Sequence, residues 1–562
     1  MTEAADLLLT NAEIHSLTEP DTVHEAAAIR DGELVRLGDT YEIEFLEGVE
    51  TEVIDCEGRT VLPGFIDAHT HLDHLGEHIV HADLSNVDSR EAALESLAAR
   101  GDETAGVEDA VGVEDGAASA ENDWILGFGY DESTWGGEGE TGAEYLTRED
   151  LDQVSETRPI AAIRVDGHTA SLNSVALERL EDDLPDEEVH VEAGEPTGVI
   201  VEDAIGVVKD EVAASRAEMR EIISAAAEHA VELGVTGVHD MVQRSTAARA
   251  YRDLAADGDL PLRVRINYWS DFLEHLSAAG MPTNAGSERV QVGAIKSFSD
   301  GSFGGETAKV YEPYVGAGGD EDGDEDGDGD GDGDGDDAST SADTDADDGR
   351  GQWVVDPDEL GDIVDRADEA DFQLSIHAIG DEAIEETLTL LESTDDPAGS
   401  RHRIEHAELV DDDQLARMAD AGIVASMQPN FHRWADEGGL YDQRLGEERR
   451  KQTNRFRRVL EAGAPLAFSS DCMPLDPLLG IHHAVTAGTD AQRLSVTEAI
   501  RAYTCGGAYA GFDEDRLGTV EVGKRADLVV LEESPWEQPE AIDEIDVAMT
   551  LVDGDVVYDA AE

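Results

Sequence analysis

Eight short apolar segments recur along the 562-residue chain, each of strand length and each set off by turn residues or a stretch of helical rhythm. They are PGFIDAH from Pro63, GVTGVHDM from Gly234, LRVRINYW from Leu262, VQVGAIKSF from Val290, FQLSIHAIG from Phe372, HRIEHAEL from His402, GIVASMQP from Gly422 and PLAFSSD from Pro465. Strands buried on both faces of a parallel sheet read as such continuous apolar runs, and parallel strands need helical crossovers between them. Eight repeats of that unit predict an α/β fold, a (β/α)8 TIM-like barrel, whose chemistry belongs at the C-terminal ends of the strands.

Those ends carry a particular set of side chains. The stretch PGFIDAHTHLDHLG puts His69 and His71 just past a strand that should end near Ala68. Residues two apart in a strand point to one side, so both imidazoles can aim at a single point, as a metal ion with nitrogen ligands requires; a surface or hydrogen-bonded pair is the other reading. His74 is out of that phase. His377 ends the fifth strand in HAIG, His406 lies near the end of the sixth in RIEHAEL, and Asp471 ends the eighth in FSSDCMP. Any one of these has a plain structural explanation, but their shared barrel register with His69 and His71 points to one site. Lys296, on the fourth strand in AIKSFSDGSFGG, sits among apolar neighbours in a chain whose other lysines are 209, 309, 451 and 524. A buried lysine can be neutral, the state that reacts with carbon dioxide to form a carbamate; a buried salt bridge to Asp300 or Asp471 is the alternative.

Outside the barrel pattern, residues 1–61 alternate in strand fashion, and so do GKRADLVVLE and VAMTLVDGDVVYDA in 515–562. The two termini are expected to form a small composite β-sandwich domain, leaving 62–514 for the barrel and 82–218 as an insertion too long for one βα unit. Residues 101–122 and 317–351 are Gly and acid of low complexity. The second lacks the regularly placed apolar residue that calcium-binding repeats need, so a solvated, disordered loop is expected.

The segments PGFIDAHTHLD, WILGFGYDESTW, RVDGHTASLNSVAL, GEPTGVIVEDA, GVTGVHDM, IKSFSDGSFGGETA, IHAIGD, RIEHAEL, SMQP, SSD and GKRADLVVLE, in this order, resemble the amidohydrolase superfamily, and within it the N-substituted formamide deformylase-like branch, amidohydrolase family 3. The resemblance spans nearly the whole chain; it departs at the two acidic segments and at the phenylalanine of DGSFGG, where leucine is commoner. It implies His69, His71, His377, His406 and Asp471 as ligands of one or two divalent metal ions, zinc being the expected metal with manganese or iron as alternatives. It also implies Lys296 as a carboxylated bridging ligand, and hydrolysis of a non-peptide, amide-type C–N bond by metal-activated water. Asp471 is then the proton shuttle, and His168, Arg164 and Glu202 of the insertion are expected to contact a small-molecule substrate.

Composition bounds the partners. With 131 Asp and Glu against 38 Lys and Arg, a formal charge of -93 repels nucleic acid and anionic membranes, and high salt would screen it, which suggests a halophile's protein. Cys56, Cys472 and Cys505 are odd in number and widely spaced, and no basic, apolar leader precedes the first strand, so a cytoplasmic location is expected. A homodimer is compatible with the sequence. A non-catalytic barrel scaffold and an acidic calcium-binding protein are the rival functions; the first would be expected to lose ligands, and the second leaves the eight strand ends unexplained.

Overall fold

The computed structural model describes residues 4–85, 87–110, 124–135, 145–165, 167–316 and 349–561. The acidic segment 317–351 therefore lies outside the described residues up to 348, as does 101–122 from 111 onward. The chain forms two compact units, one of Met1–His71, Ala227–Ser245 and Ala255–Glu562, the other of Leu72–Ala226 and Thr246–Leu254.

In the first unit the eight apolar segments form one parallel sheet: β1 (Phe65–Thr70), β2 (Val235–Val242), β3 (Arg263–Trp269), β4 (Val290–Phe298), β5 (Leu374–Ala378), β6 (Arg403–His406), β7 (Val424–Met427) and β8 (Leu466–Phe468). They lie in sequence order, each hydrogen-bonded to the next, and all pairings are parallel. The seam between β8 and β1 is laced just past the last strand: Asp471 N–H donates to the His69 carbonyl at 2.9 Å, and Ser470 N–H to the buried Asp67 carboxylate at 3.0 Å. All eight residues of β2 are buried, as a strand covered on both faces must be. The helices follow from local signals. In Asp412–Ala421, Asp411 and Gln414 form a capping box, Leu415 and Met418 are buried, and Gly422 ends the helix at φ 66°.

The two ends of the chain meet in the same unit. Leu528–Leu531 runs antiparallel to Thr60–Pro63 in a six-stranded sheet, and a four-stranded sheet is built on Leu7–Thr10. Side chains of both sheets, among them Leu9, Ile29, Val61, Leu528 and Leu551, share one apolar core. The second unit is built on a six-stranded mixed sheet containing Ile125–Tyr130, Ile160–Arg164 and Thr169–Leu172. It is covered on both faces: Leu126 and Ala161 belong to one core cluster, their neighbours Ile125 and Ala162 to another. Among the described residues, no helix is long and apolar enough to cross a membrane.

Arg263 of β3 ties the barrel to the C-terminal strands through a bidentate pair with Asp527, at 2.6 and 3.0 Å, the two side chains being 7% and 4% exposed. Asp553 also accepts from Arg263, so the cation keeps one carboxylate when Asp527 is neutralised. Asp527→Asn is therefore expected to lower stability by about 2 kcal/mol, the worth of a hydrogen bond to a charged group, read as a shift of the denaturation midpoint at fixed salt; an unchanged midpoint would assign the cohesion to the apolar core and Asp553 alone.

Candidate metal centre

Three strand-end side chains converge at the mouth of the barrel. Asp471 Oδ1 lies 3.4 Å from His69 Nε2 and 3.2 Å from His71 Nε2, and one donor atom from each residue falls within 4.8 Å of the other two. His406 adjoins His69, with ring centroids 5.2 Å apart, and His377 adjoins His406 at 4.4 Å. The cluster opens toward one side: His69 is 1% exposed, whereas Asp471 and His71 are 16% and 22% exposed. A small molecule can reach the last two while the first is fixed from behind.

Each of three imidazoles is anchored through one nitrogen, which frees the other. His69 donates from Nδ1 to Glu405 at 2.8 Å, His406 from Nδ1 to the Gln428 amide oxygen at 2.7 Å, and His377 from Nε2 to the Gly301 carbonyl at 2.9 Å. A carboxylate or carbonyl behind a histidine fixes its tautomer and direction, the usual support of a metal ligand. Burial, reinforced by the Lys296 charge, holds His69 down to about 4 and His377 down to about 3. Burial and the neighbouring His377 put His406 well below its ordinary range. All three are thus neutral at physiological pH, the form that binds a cation. Asp471 goes the other way: burial opposes its charge, but His69 and His71 outweigh it and hold the carboxyl below the ordinary range.

Backbone geometry serves this arrangement. Strand alternation would turn Glu405 and His406 to opposite faces, yet both face the site, because His406 and Ala407 adopt φ of 71° and 46°. Asp471 and Cys472 are left-handed as well, at 56° and 55°, and Cys472 Sγ accepts the His71 N–H at 3.2 Å. Such conformations are costly for residues with a Cβ and concentrate at functional sites.

Lys296 is 1% exposed, and its Nζ has no hydrogen-bond partner among the described residues. The expected alternative, a salt bridge to Asp300 or Asp471, is not formed. The Asp300 carboxylate instead accepts the backbone N–H groups of Lys309, Ile379 and Gly380. Burial pushes the Lys296 amine down to about 8. The donor set of neutral imidazoles and an ionised carboxylate, beside a buried amine lacking an acceptor, fits a divalent metal.

Sequence reasoning passed over Glu405, Gln428 and Asp67. Glu405 accepts from His69, from Ser375 Oγ at 2.6 Å and pairs with Arg403 at 2.8 Å. The letters RIEH carried no signal for it, because strand alternation would turn Glu405 away from His406. In the second unit, Arg164 is held by Glu132 at 2.8 Å and by Asp131 at 3.3 Å. His168 and Glu202, both exposed, lie 3.3 Å from one another.

The chain matches known proteins along its length. The sequence model described as "Amidohydrolase family" matches residues 52–558. Protein LONG AFTER FAR-RED 3 of Arabidopsis thaliana is 30% identical, covering 99% of this chain and 92% of its own. N-substituted formamide deformylase of Arthrobacter pascens is 25% identical, covering 100% of this chain and 99% of its own. An uncharacterized metal-dependent hydrolase from Pyrococcus furiosus has a similar solved structure, with a TM-score of 0.73 and 28% identity over 94% of this chain and 99% of its own.

Glu405→Gln keeps the shape but removes the charge behind His69. It is expected to weaken metal retention about 10- to 100-fold, the usual effect of losing a ligand's supporting partner. The readout is the chelator concentration that strips half the metal, with folding checked by circular dichroism. Unchanged retention in folded protein would reduce Glu405 to a packing role.

Proposed function

The chain belongs to the amidohydrolase family, and from that premise we propose that it hydrolyses a C–N bond of the amide type, other than a peptide bond, in a small molecule. The observation that carries this reading is the convergence of His69, His71 and Asp471 on one point at the barrel mouth. His377 and His406 would complete the ligand set for one or two metal ions, with Lys296, once carboxylated, as the ligand able to bridge a pair. Zinc is the metal this set suits best, and manganese or iron can replace it. When bound, the metal supplies Lewis acidity toward a carbonyl oxygen and lowers the pKa of water.

The chain's own residues supply the rest. Asp471, ionised and partly open to solvent, takes a proton from the attacking water and delivers it from its Oδ atoms to the leaving nitrogen. His69, His377 and His406, each fixed by one hydrogen bond, hold their free nitrogens in place without reorganisation. Arg164, His168 and Glu202 are the candidates for substrate contact from the insertion. N-substituted formamides are the first substrates to try, given the Arthrobacter pascens relative; cyclic amides and N-acyl compounds follow.

Screening these three groups in molar salt with added zinc, manganese or iron is expected to show metal-dependent release of amine. Turnover of esters alone by metal-loaded protein would overturn the C–N assignment. Within an active substrate, Asp471→Asn should keep part of the metal, since the histidines remain, and lose roughly 100- to 10,000-fold in kcat, the worth of a positioned acid–base group. Near-normal kcat would assign proton transfer to another residue.

A further inference from the structure

Trp269 closes β3, and its indole Nε1 is buried without a hydrogen-bond partner among the described residues. The Nζ of Lys296 is in the same condition. Folded interiors satisfy nearly all buried donors, so each such group calls for an explanation, and two together call for a common one. They are neighbours: the register of β3 and β4 pairs Trp269 with Lys296, and residues paired across adjacent strands present their side chains on the same face of the sheet. Phe298, two residues along β4 from Lys296 and so on that same face, touches both. Its ring stands 4.9 Å from the Trp269 ring at 62°, and Lys296 Nζ lies 4.8 Å from its centroid.

The two do not complete one another: an ammonium has no lone pair to offer, and as they stand Trp269 Nε1 and Lys296 Nζ are not hydrogen-bonded to each other, so what the indole lacks is an acceptor. A carboxylate fixed on the amine provides one. The unprotonated Nζ of Lys296 attacks the carbon of carbon dioxide, an N–C bond forms, one C=O π pair moves onto oxygen, and an Nζ proton leaves to solvent. The product is a planar carbamate whose two oxygens share one negative charge, and no oxidant or reductant takes part. Each oxygen has more than one lone pair, so it can accept a hydrogen bond and still ligate a metal. Resting on the reading of Lys296 as carboxylated, we propose that Trp269 is a positioning residue whose indole N–H donates to the Lys296 carbamate, orienting its oxygens and slowing the loss of carbon dioxide.

Trp269→Phe removes the N–H and keeps an aromatic ring against Phe298. Wild type and variant are stripped of metal and bicarbonate, then reloaded with zinc across a series of ¹³C-bicarbonate concentrations. The carbamate ¹³C resonance and the zinc content per chain are read at each concentration. The variant is expected to need roughly 10- to 100-fold more bicarbonate for half-maximal carbamate, the worth of a hydrogen bond to a charged acceptor. A general loosening of structure would not restore the resonance at high bicarbonate. If the variant carboxylates at wild-type bicarbonate concentration, the proposal is overturned while the carbamate reading stands; a fall in kcat/KM alone then gives the N–H to the substrate. If zinc-loaded wild type shows no carbamate resonance, the reading of Lys296 itself fails and the proposal with it. Should the variant not fold, the wild type still decides. Of its six tryptophans, one ¹⁵N-indole resonance is expected to move downfield on carboxylation, and none moving would overturn the proposal.

Discussion

The barrel turns on the buried carboxylate of Glu405. It is 0% exposed, and an isolated charge there would be prohibitive, so it exists only because Arg403, 1% exposed, pairs with it at 2.8 Å. Burial alone would raise the Glu405 carboxyl, but the Arg403 charge and then His69 hold it well below the ordinary range. Arg403 in turn donates to the Ala68 carbonyl, to His239 Nδ1 at 2.9 Å and to Ser426 Oγ at 3.0 Å. One ion pair thus ties β1, β2, β6 and β7 across the lumen, and Ser375 adds β5. Where barrels of this kind usually fill their interior with branched apolar residues, this one uses a hydrogen-bonded network. The same carboxylate that makes the buried arginine tolerable also aims His69, so cohesion and site geometry cannot be separated there.

At the mouth the physical constraint changes. Asp300 pins the loop after β4 to the end of β5 through the N–H groups of Ile379 and Gly380 and braces the loop itself through that of Lys309, and the 470–472 turn is stitched to residues 67–71 by Asp67, the His69 carbonyl and Cys472. These contacts hold left-handed backbone at Asp471 and Cys472 that the local sequence would not choose. The strain is carried by the closure of the barrel, and it brings Asp471 over the two imidazoles of β1.

This division explains what was legible in the sequence. All eight barrel strands could be read, because strands covered on both faces carry short runs of strand-forming apolar residues, and these recur between helical stretches even where a few polar side chains such as His239 and Lys296 interrupt them. His69 and His71 were legible because a period of two survives the strand end. Glu405 was not, since alternation places it opposite His406, and the phase break at φ 71° leaves no trace in the letters RIEH. Gln428 and the Gly301 carbonyl were hidden for a related reason: they act by position, and neither residue type announces a metal site. The substrate contacts proposed for the insertion are less legible still: His168 and Glu202 are exposed and Arg164 is paired with Glu132, and nothing in such residues specifies a ligand's shape.

The choice of cation carries the last step. Where the interior needs a fixed positive charge, this chain uses arginine, as at Arg263, Arg265 and Arg403, whose forked guanidinium groups meet Asp527, Asp513 and Glu405. A guanidinium cannot lose its proton and matches a carboxylate bidentately, so it is the better permanent partner. Of the five lysines, only Lys296 is buried; Lys209, Lys309, Lys451 and Lys524 all reach solvent to some degree. A lysine placed where the rest of the interior uses arginine, and left without the carboxylate that every buried arginine named here has, is poorly explained as a charge. It is well explained as an amine: arginine offers no nucleophilic nitrogen, whereas a lysine pushed down to about 8 by burial spends an appreciable fraction of its time neutral near physiological pH. The choice of cation across the interior therefore favours, on physical grounds, the proposed chemical role for position 296 over one in cohesion.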